Sequence, residues 1–264
     1  MTAPLTVGVL GFGEAGTEIA GGLAAAGVKV RGFDPVQPAP PGTEAAADDA
    51  DACRGAALVI SLVTAEEAEA ALRMALPGLA GSTVYADANT SAAGLKQRLA
   101  ATAGQAGIAF ADVAIMAPVP GRGLAVPMLV SGPGAGAACQ LLTACGGRAE
   151  TVAGPPGTAA TRKLLRSVFY KGMAAAVIEA LLAARAAGSE DWLREHLAAE
   201  LAAADATTLA RLEEGSYRHA RRRAQEMAAA ATMLDELGVP ARIARASQDW
   251  LEDLAAADRP DMPL

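Results

Sequence analysis

Three short stretches carry residue types whose spacing could do chemistry. The first is Gly11-Phe12-Gly13-Glu14-Ala15-Gly16, which follows the apolar run Leu5–Leu10 and opens the helix-like stretch Glu14–Ala26. In a strand-to-helix turn of this pattern the first glycine permits the tight bend, the second lets a pyrophosphate approach the backbone, and the third lets helix and strand pack closely. The amide groups at the helix start then hold the phosphate charge. The spacing alone is weak in a chain this rich in alanine and glycine, and the strand before and the helix after are what strengthen it.

Asp34 stands 18 residues after Gly16, at the end of the next apolar run, Val28–Phe33. A carboxylate there can accept hydrogen bonds from ribose hydroxyls and repels a 2′-phosphate, which favours NAD over NADP. A solvated turn aspartate before Pro35 is the plainer alternative. Arg31 lies three residues earlier, inside the strand, poorly placed to serve a 2′-phosphate. Two further runs end in polar residues: Val63-Thr64, and Asn89-Thr90 within Asp87-Ala88-Asn89-Thr90. Ligands of doubly wound sheets collect at such strand ends. Asn89 and Thr90 could reach a nicotinamide ribose or carboxamide; equally, Thr90 or Ser91 could cap the following helix.

The third stretch is cationic. Lys163, Arg166, Ser167, Tyr170 and Lys171 fall at i, i+3, i+4, i+7 and i+8, one face of a helix otherwise built from alanine and leucine. A solvated face with i,i+4 contacts would explain it. So would a stripe turned to a cleft, meeting a small anionic substrate beside a nicotinamide.

The elements that must position these residues follow from periodicity. Short apolar runs recur at Leu5–Leu10, Val28–Phe33, Ala57–Leu62, Thr83–Asp87, Ala109–Val113 and Met128–Ser131, alternating with alanine-rich stretches such as Glu14–Ala26 and Ser91–Ala103. That alternation predicts an α/β fold with a mainly parallel sheet covered on both faces. Strand signals end near Pro155. Beyond it, helices are expected at Thr158–Ala187, Glu190–Glu214, Ser216–Leu237 and Arg242–Ala256, with Gly188, Gly215 and Gly238 as stops. The expected domains are 1–154, binding a dinucleotide, and 155–264, all-helical, with the boundary in Gly154-Pro155-Pro156-Gly157.

Bulk properties narrow the partners. The formal net charge of −7 over 264 residues argues against nucleic acid, despite the basic run Arg221-Arg222-Arg223. Cys53, Cys139 and Cys145 show no CxxC spacing and two histidines lie far apart, so reduced thiols, a cytoplasmic home and no metal site are expected. No signal peptide is recognised, and charges interrupt every long apolar run, so no membrane span is expected.

The glycine turn, the DANT segment at Asp87–Thr90 and Gly157-Thr158-Ala159-Ala160-Thr161-Arg162-Lys163 together resemble the β-hydroxyacid dehydrogenase superfamily, which includes 3-hydroxyisobutyrate and 6-phosphogluconate dehydrogenases. The helical half is most similar to its branch with a DUF1932 C-terminal domain. The resemblance spans essentially the whole chain. It implies a Rossmann-type domain, a homodimer joined through the helical domain, and Lys163 as the general acid/base of hydride transfer on a small hydroxy acid. A lysine acting as base near neutral pH must be partly deprotonated, which burial and neighbouring positive charge both favour.

The match also implies departures. Ala159 replaces the second glycine of the lysine segment, and Arg166 and Ser167 replace the usual polar pair beside the lysine. Met116-Ala117-Pro118 stands where the family has a Ser-Gly-Gly substrate loop, and Gln225-Glu226 where it has a lysine–aspartate pair. Arg222 or Arg223 could supply that missing positive charge. Two other readings stay open: an imine reductase of the same two-domain plan, and a non-catalytic NAD-binding protein.

Overall fold

The computed structural model describes residues 5–257, and these divide between Arg166 and Ser167 into two compact units. In the first unit, eight strands form one sheet: β1 (Thr6–Leu10), β2 (Lys29–Phe33), β3 (Thr43–Ala45), β4 (Leu58–Ser61), β5 (Val84–Asp87), β6 (Ala109–Ile115), β7 (Pro127–Ser131) and β8 (Arg148–Thr151). Their order is β3-β2-β1-β4-β5-β6-β7-β8, and every neighbouring pair is parallel except β6 and β7. The order reverses between β1 and β4, the switch point at whose carboxyl ends doubly wound sheets bind ligands.

Side chains alternate between the two faces, and both faces are buried. Val7, Val9, Leu58, Ile60, Val84, Ala86, Ala111 and Val113 join one apolar cluster with α1 (Glu14–Ala25) and α5 (Ala135–Ala144). Leu10, Val59, Tyr85 and Phe110 join the other with α2 (Asp49–Cys53), α3 (Ala68–Ala75) and α4 (Ala93–Gln105). This two-sided burial is why the strands read as continuous apolar runs. The short edge strands β3 and β8 were not expected. Thr43–Ala45 and Arg148–Thr151 lack such runs, because an edge strand is defined by its neighbour's hydrogen bonds more than by its own side chains.

The punctuation at Gly154–Gly157 leads directly into α6 (Thr158–Ala186), whose first two turns remain with the sheet unit. The second unit holds the rest of α6 with α7 (Glu190–Ala203), α8 (Ala206–Arg218), α9 (Ala220–Glu236) and α10 (Arg242–Ala256). Here the expected Glu190–Glu214 helix is two helices. Asp205 breaks it, its carboxylate accepting from the Thr208 amide while the Thr208 hydroxyl accepts from the Asp205 amide. Gly215 is not a stop but lies inside α8. The break expected there falls a few residues later, at His219 between α8 and α9.

Among the described residues α6 is the one helix long and apolar enough, by length and composition, to cross a membrane. Its Glu179 carboxylate instead accepts from the amides of Ile243 and Ala244, at 2.8 Å each, capping the start of α10.

The α6–α7 corner is fastened by Glu190, held by Arg185 at 2.6 Å and Arg194 at 2.8 Å. Hydrogen bonds from Arg185 and then Arg194 hold its carboxyl at about 2, against an ordinary 4.5. A depressed carboxyl stabilises above its unfolded value and loses that contribution as pH falls through the folded one. The corner is therefore expected to hold down to about pH 4.5 and loosen progressively towards pH 2. Tryptophan fluorescence of a Trp250→Phe variant, which leaves Trp192 on α7, should report the change, and Glu190→Gln should abolish that acid step.

Candidate functional site

The carboxyl edge of the parallel strands gathers most of the residues singled out in the sequence. The glycine turn leaves β1, Asp34 leaves β2, Val63-Thr64 leaves β4, Asn89-Thr90 leaves β5 and Met116-Ala117-Pro118 leaves β6. Gly11 has φ +92°, and a Cβ on it would lie 2.6 Å from the Leu62 carbonyl oxygen. A Cβ on Gly16 would lie 2.0 Å from the Gly11 oxygen, so this glycine is fixed by helix–strand packing. A Cβ on Gly13 would meet nothing within 4 Å. Gly11 thus serves the bend and Gly16 the close packing, while Gly13 leaves its side of the backbone open.

Asp34 does more than the sequence indicated. Its Oδ2 accepts from the Phe12 amide of the glycine turn at 2.7 Å, and its Oδ1 accepts from Val36 and Gln37 at 2.8 and 2.9 Å. Burial alone would raise its carboxyl, but the amides of Phe12, Gln37 and Val36 hold it below the ordinary value. Three of about four acceptor positions are occupied, leaving room for one hydroxyl. Arg31 is committed elsewhere: it pairs with Glu44 at 3.0 Å and Asp51 at 3.1 Å, and bonds the Asp51 carbonyl at 2.7 Å. The Thr64 hydroxyl accepts from the Glu67 amide at 3.2 Å, and Val63 packs in the second core cluster. Both take structural parts at a position where cofactor contacts were expected.

The residues present fit a dinucleotide. Gly13, at the N-cap of α1, brings no side chain to cap the helix's first amides. The Asn89 Oδ1 and Ser91 Oγ atoms are buried without a hydrogen-bond partner among the described residues. Such orphaned buried atoms are costly unless a ligand meets them. Gly11 to Gly16 would hold the phosphates, Asp34 a ribose hydroxyl, and Asn89 the nicotinamide half.

The lysine reaches this edge. Lys163 Nζ, in the second turn of α6, donates to Thr90 Oγ1 at 2.7 Å. Arg166, Ser167 and Lys171 continue the stripe along the same helix. Arg222 is ion-paired with Glu226 one turn on, and Arg223 donates to Ser216 Oγ at 2.9 Å. The structure gives these two arginines partners within the helical unit, where a substrate role had been expected.

Sequence reasoning missed a buried cluster beneath the site. Lys96, Asp87 and Asp112 are fully buried, with Lys96 Nζ 2.5 Å from Asp87 Oδ1 and 3.3 Å from Asp112 Oδ1. Burial, the largest influence, raises the Asp87 carboxyl above its ordinary value against the pull of the Lys96 ammonium. The available signal was a charge on an apolar face: Lys96 shares the buried side of α4 with Leu99 and Ala103, and Asp112 interrupts the apolar run of β6.

Gly16→Ala is expected to abolish nucleotide binding, because the turn must open to admit the methyl group. Thermal unfolding with and without NAD checks this: wild type should be stabilised by the ligand and the variant should not.

Comparison with known proteins agrees with this geometry. The family described as the NAD binding domain of 6-phosphogluconate dehydrogenase matches residues 6–153, and a domain of unknown function, DUF1932, matches residues 184–254. No curated protein matches. Among solved structures, a conserved hypothetical protein from Sinorhizobium meliloti 1021 is 29% identical, with 99% of this chain and 92% of that chain covered and a TM-score of 0.62. The conserved protein MTH1747, of unknown function and described as similar to 3-hydroxyacid dehydrogenases, is 29% identical over 95% of this chain and 98% of its own, with a TM-score of 0.62. An imine reductase from Myxococcus stipitatus in complex with NADP+ shares the fold, with 18% identity, 97% and 95% coverage and a TM-score of 0.80. The chain belongs to the 6-phosphogluconate dehydrogenase-like NAD-binding family, with a DUF1932 domain in its helical half, and its fold and family make it a nicotinamide-dependent oxidoreductase.

Proposed function

We propose that this chain reversibly oxidises a small anionic hydroxy acid, with Lys163 as general acid/base. The reading rests on one observation, the 2.7 Å hydrogen bond that sets Lys163 Nζ on Thr90 at the end of β5, beside the orphaned Asn89 Oδ1. When bound, the nicotinamide supplies the carbon that accepts or returns a hydride. Lys163 takes the hydroxyl proton of the alcohol and gives it back to the carbonyl oxygen in the reverse direction. Arg166 and Lys171 offer positive charge for the substrate acid, and a guanidinium suits a carboxylate or phosphate by binding two oxygens at once. Ser167 orients the hydroxyl, and Met116-Ala117-Pro118 lines the substrate loop. Arg222 and Arg223 are secondary candidates, since each has a partner already.

NAD is the proposed cofactor. The Asp34 carboxylate would meet a 2′-phosphate, and Arg31 is held by Glu44 and Asp51. A second reading, imine reduction, is favoured by the shared fold of the imine reductase. Hydroxy acids assayed with NAD, against cyclic imines assayed with reduced cofactor, separate the two. Lys163→Ala should lower kcat by more than about tenfold, roughly 1.4 kcal/mol. A smaller loss overturns the lysine's role, and retained NAD binding with no turnover on either panel favours a binding protein.

We also propose a homodimer. Val168, Ile178 and Leu165 on α6 are exposed by 75%, 61% and 66%, more apolar surface than a solvated helix ordinarily presents. Light scattering at micromolar concentration should give about twice the 26.4 kDa chain mass. Free cysteines, two of the three buried, suit a reducing cytoplasmic setting. Burial raises the Cys53 thiol to about 12, which leaves it unreactive at neutral pH.

A further inference from the structure

Lys96, Asp87 and Asp112 are each without solvent exposure and meet the site only through Asn89, which bonds Asp87. Sealing charged groups in a core costs several kcal/mol each unless geometry and hydrogen bonds compensate. One ammonium faces two carboxylates, so the cluster carries an excess of negative charge when all three groups are ionised. The bonds made by the remaining oxygens show where it is directed.

Asp112 Oδ2 accepts from the amides of Gly157 at 2.9 Å and Ala160 at 3.1 Å, and from the Ser131 hydroxyl at 3.0 Å. Ser131 Oγ accepts in turn from the Ala159 amide at 3.0 Å. The opening of α6 is therefore capped from the sheet, by β6 and β7, and its positive end faces the buried anion. On the other side, Lys96 Nζ also donates to the Asp87 carbonyl at 2.8 Å. Asp87 itself accepts from the Asn89 amide at 3.2 Å and the Asn89 side chain at 2.9 Å. Asn89 Nδ2 reaches Ser61 Oγ on β4 at 3.2 Å. Both ends of the Lys163–Thr90 hydrogen bond thus descend from one ion cluster. Thr90 follows Asn89, and Lys163 stands three residues beyond Ala160 on a continuous helix.

We propose that Lys96 is a positioning residue that, through Asp87 and Asp112, sets the Lys163 ammonium against Thr90. Its catalytic consequence rests on the proposed role of Lys163, but the positioning itself does not. A displacement of about 1 Å at a reacting group is enough to cost two orders of magnitude in rate. The charged groups on the elements that carry the pair are Asp87 on β5 and Arg162 and Arg166 on α6, with Lys96 on α4 and Asp112 on β6 tied to Asp87 and to the start of α6.

Competitive acylation of the full-length protein with an amine-selective reagent, read by mass spectrometry across pH, tests this without a substrate. Thr90→Val sets the scale for a Lys163 that has lost this one bond. Lys96→Met, Asp112→Asn and the milder Ser131→Ala should each speed Lys163 labelling by about fivefold, the factor one lost hydrogen bond carries. Lys171, further along the same helix, should keep its rate. If Ser131→Ala and Asp112→Asn lower thermal stability while the Lys163 labelling rate stays as in wild type, the cluster is structural only and the proposal fails. Full turnover by Lys163→Ala would instead overturn the functional reading and leave the labelling result standing.

Discussion

A helix that begins beside a sheet brings bare amides with it, and a carboxylate that meets them in a dry core needs a counter-charge. The start of α6 is arranged around this constraint. Asp112 reaches the amides of Gly157 and Ala160, Lys96 offsets Asp112, and Asp87 completes the ammonium's coordination. The cluster fixes where α6 leaves the sheet, and the stripe that begins at Lys163 inherits that origin. Most other features of the first unit, from the crossover at β1 and β4 to the apolar layers on both faces, serve to hold the strand ends in one row.

Much of this was legible in the sequence, for physical reasons. Central strands buried on two sides must be apolar throughout, so β1, β4, β5 and β6 stood out, and the glycine turn after β1 could be read because only glycine meets its steric demands. The edge strands β3 and β8 left no such trace. In the helical half, Gly215 suggested a stop because glycine weakens helices, whereas the chain breaks a few residues later, at His219, and again at the capping box of Asp205. Propensity describes one helix at a time and is blind to its neighbour.

The site residues divide along the same line. Gly11 to Gly16, Asp34, Asn89 and Thr90 are singled out by type and position at strand ends, and the part proposed for Lys163 comes from the resemblance of its segment rather than from spacing. Lys96 and Asp112 are not singled out, because each is a single charge in a stretch whose pattern is apolar, and the eye discounts an exception. A charged residue where burial is required is more informative than one where solvent is available, since burial has to be offset by partners. Arg222 and Arg223 show the converse: a dense basic run looks purposeful, yet its members pair with Glu226 and Ser216 on their own surface.

Asp34 is tied to the backbone of Phe12 as well as to its own turn. Any exchange at this position intended to retune which nucleotide is accepted would also cut the tether that shapes the phosphate cradle. If Asp34 selects the coenzyme as proposed, selectivity and scaffold share the same two oxygen atoms. A chain of this design would have to acquire a replacement strut before it could change coenzyme, and single-step drift at that residue is correspondingly constrained.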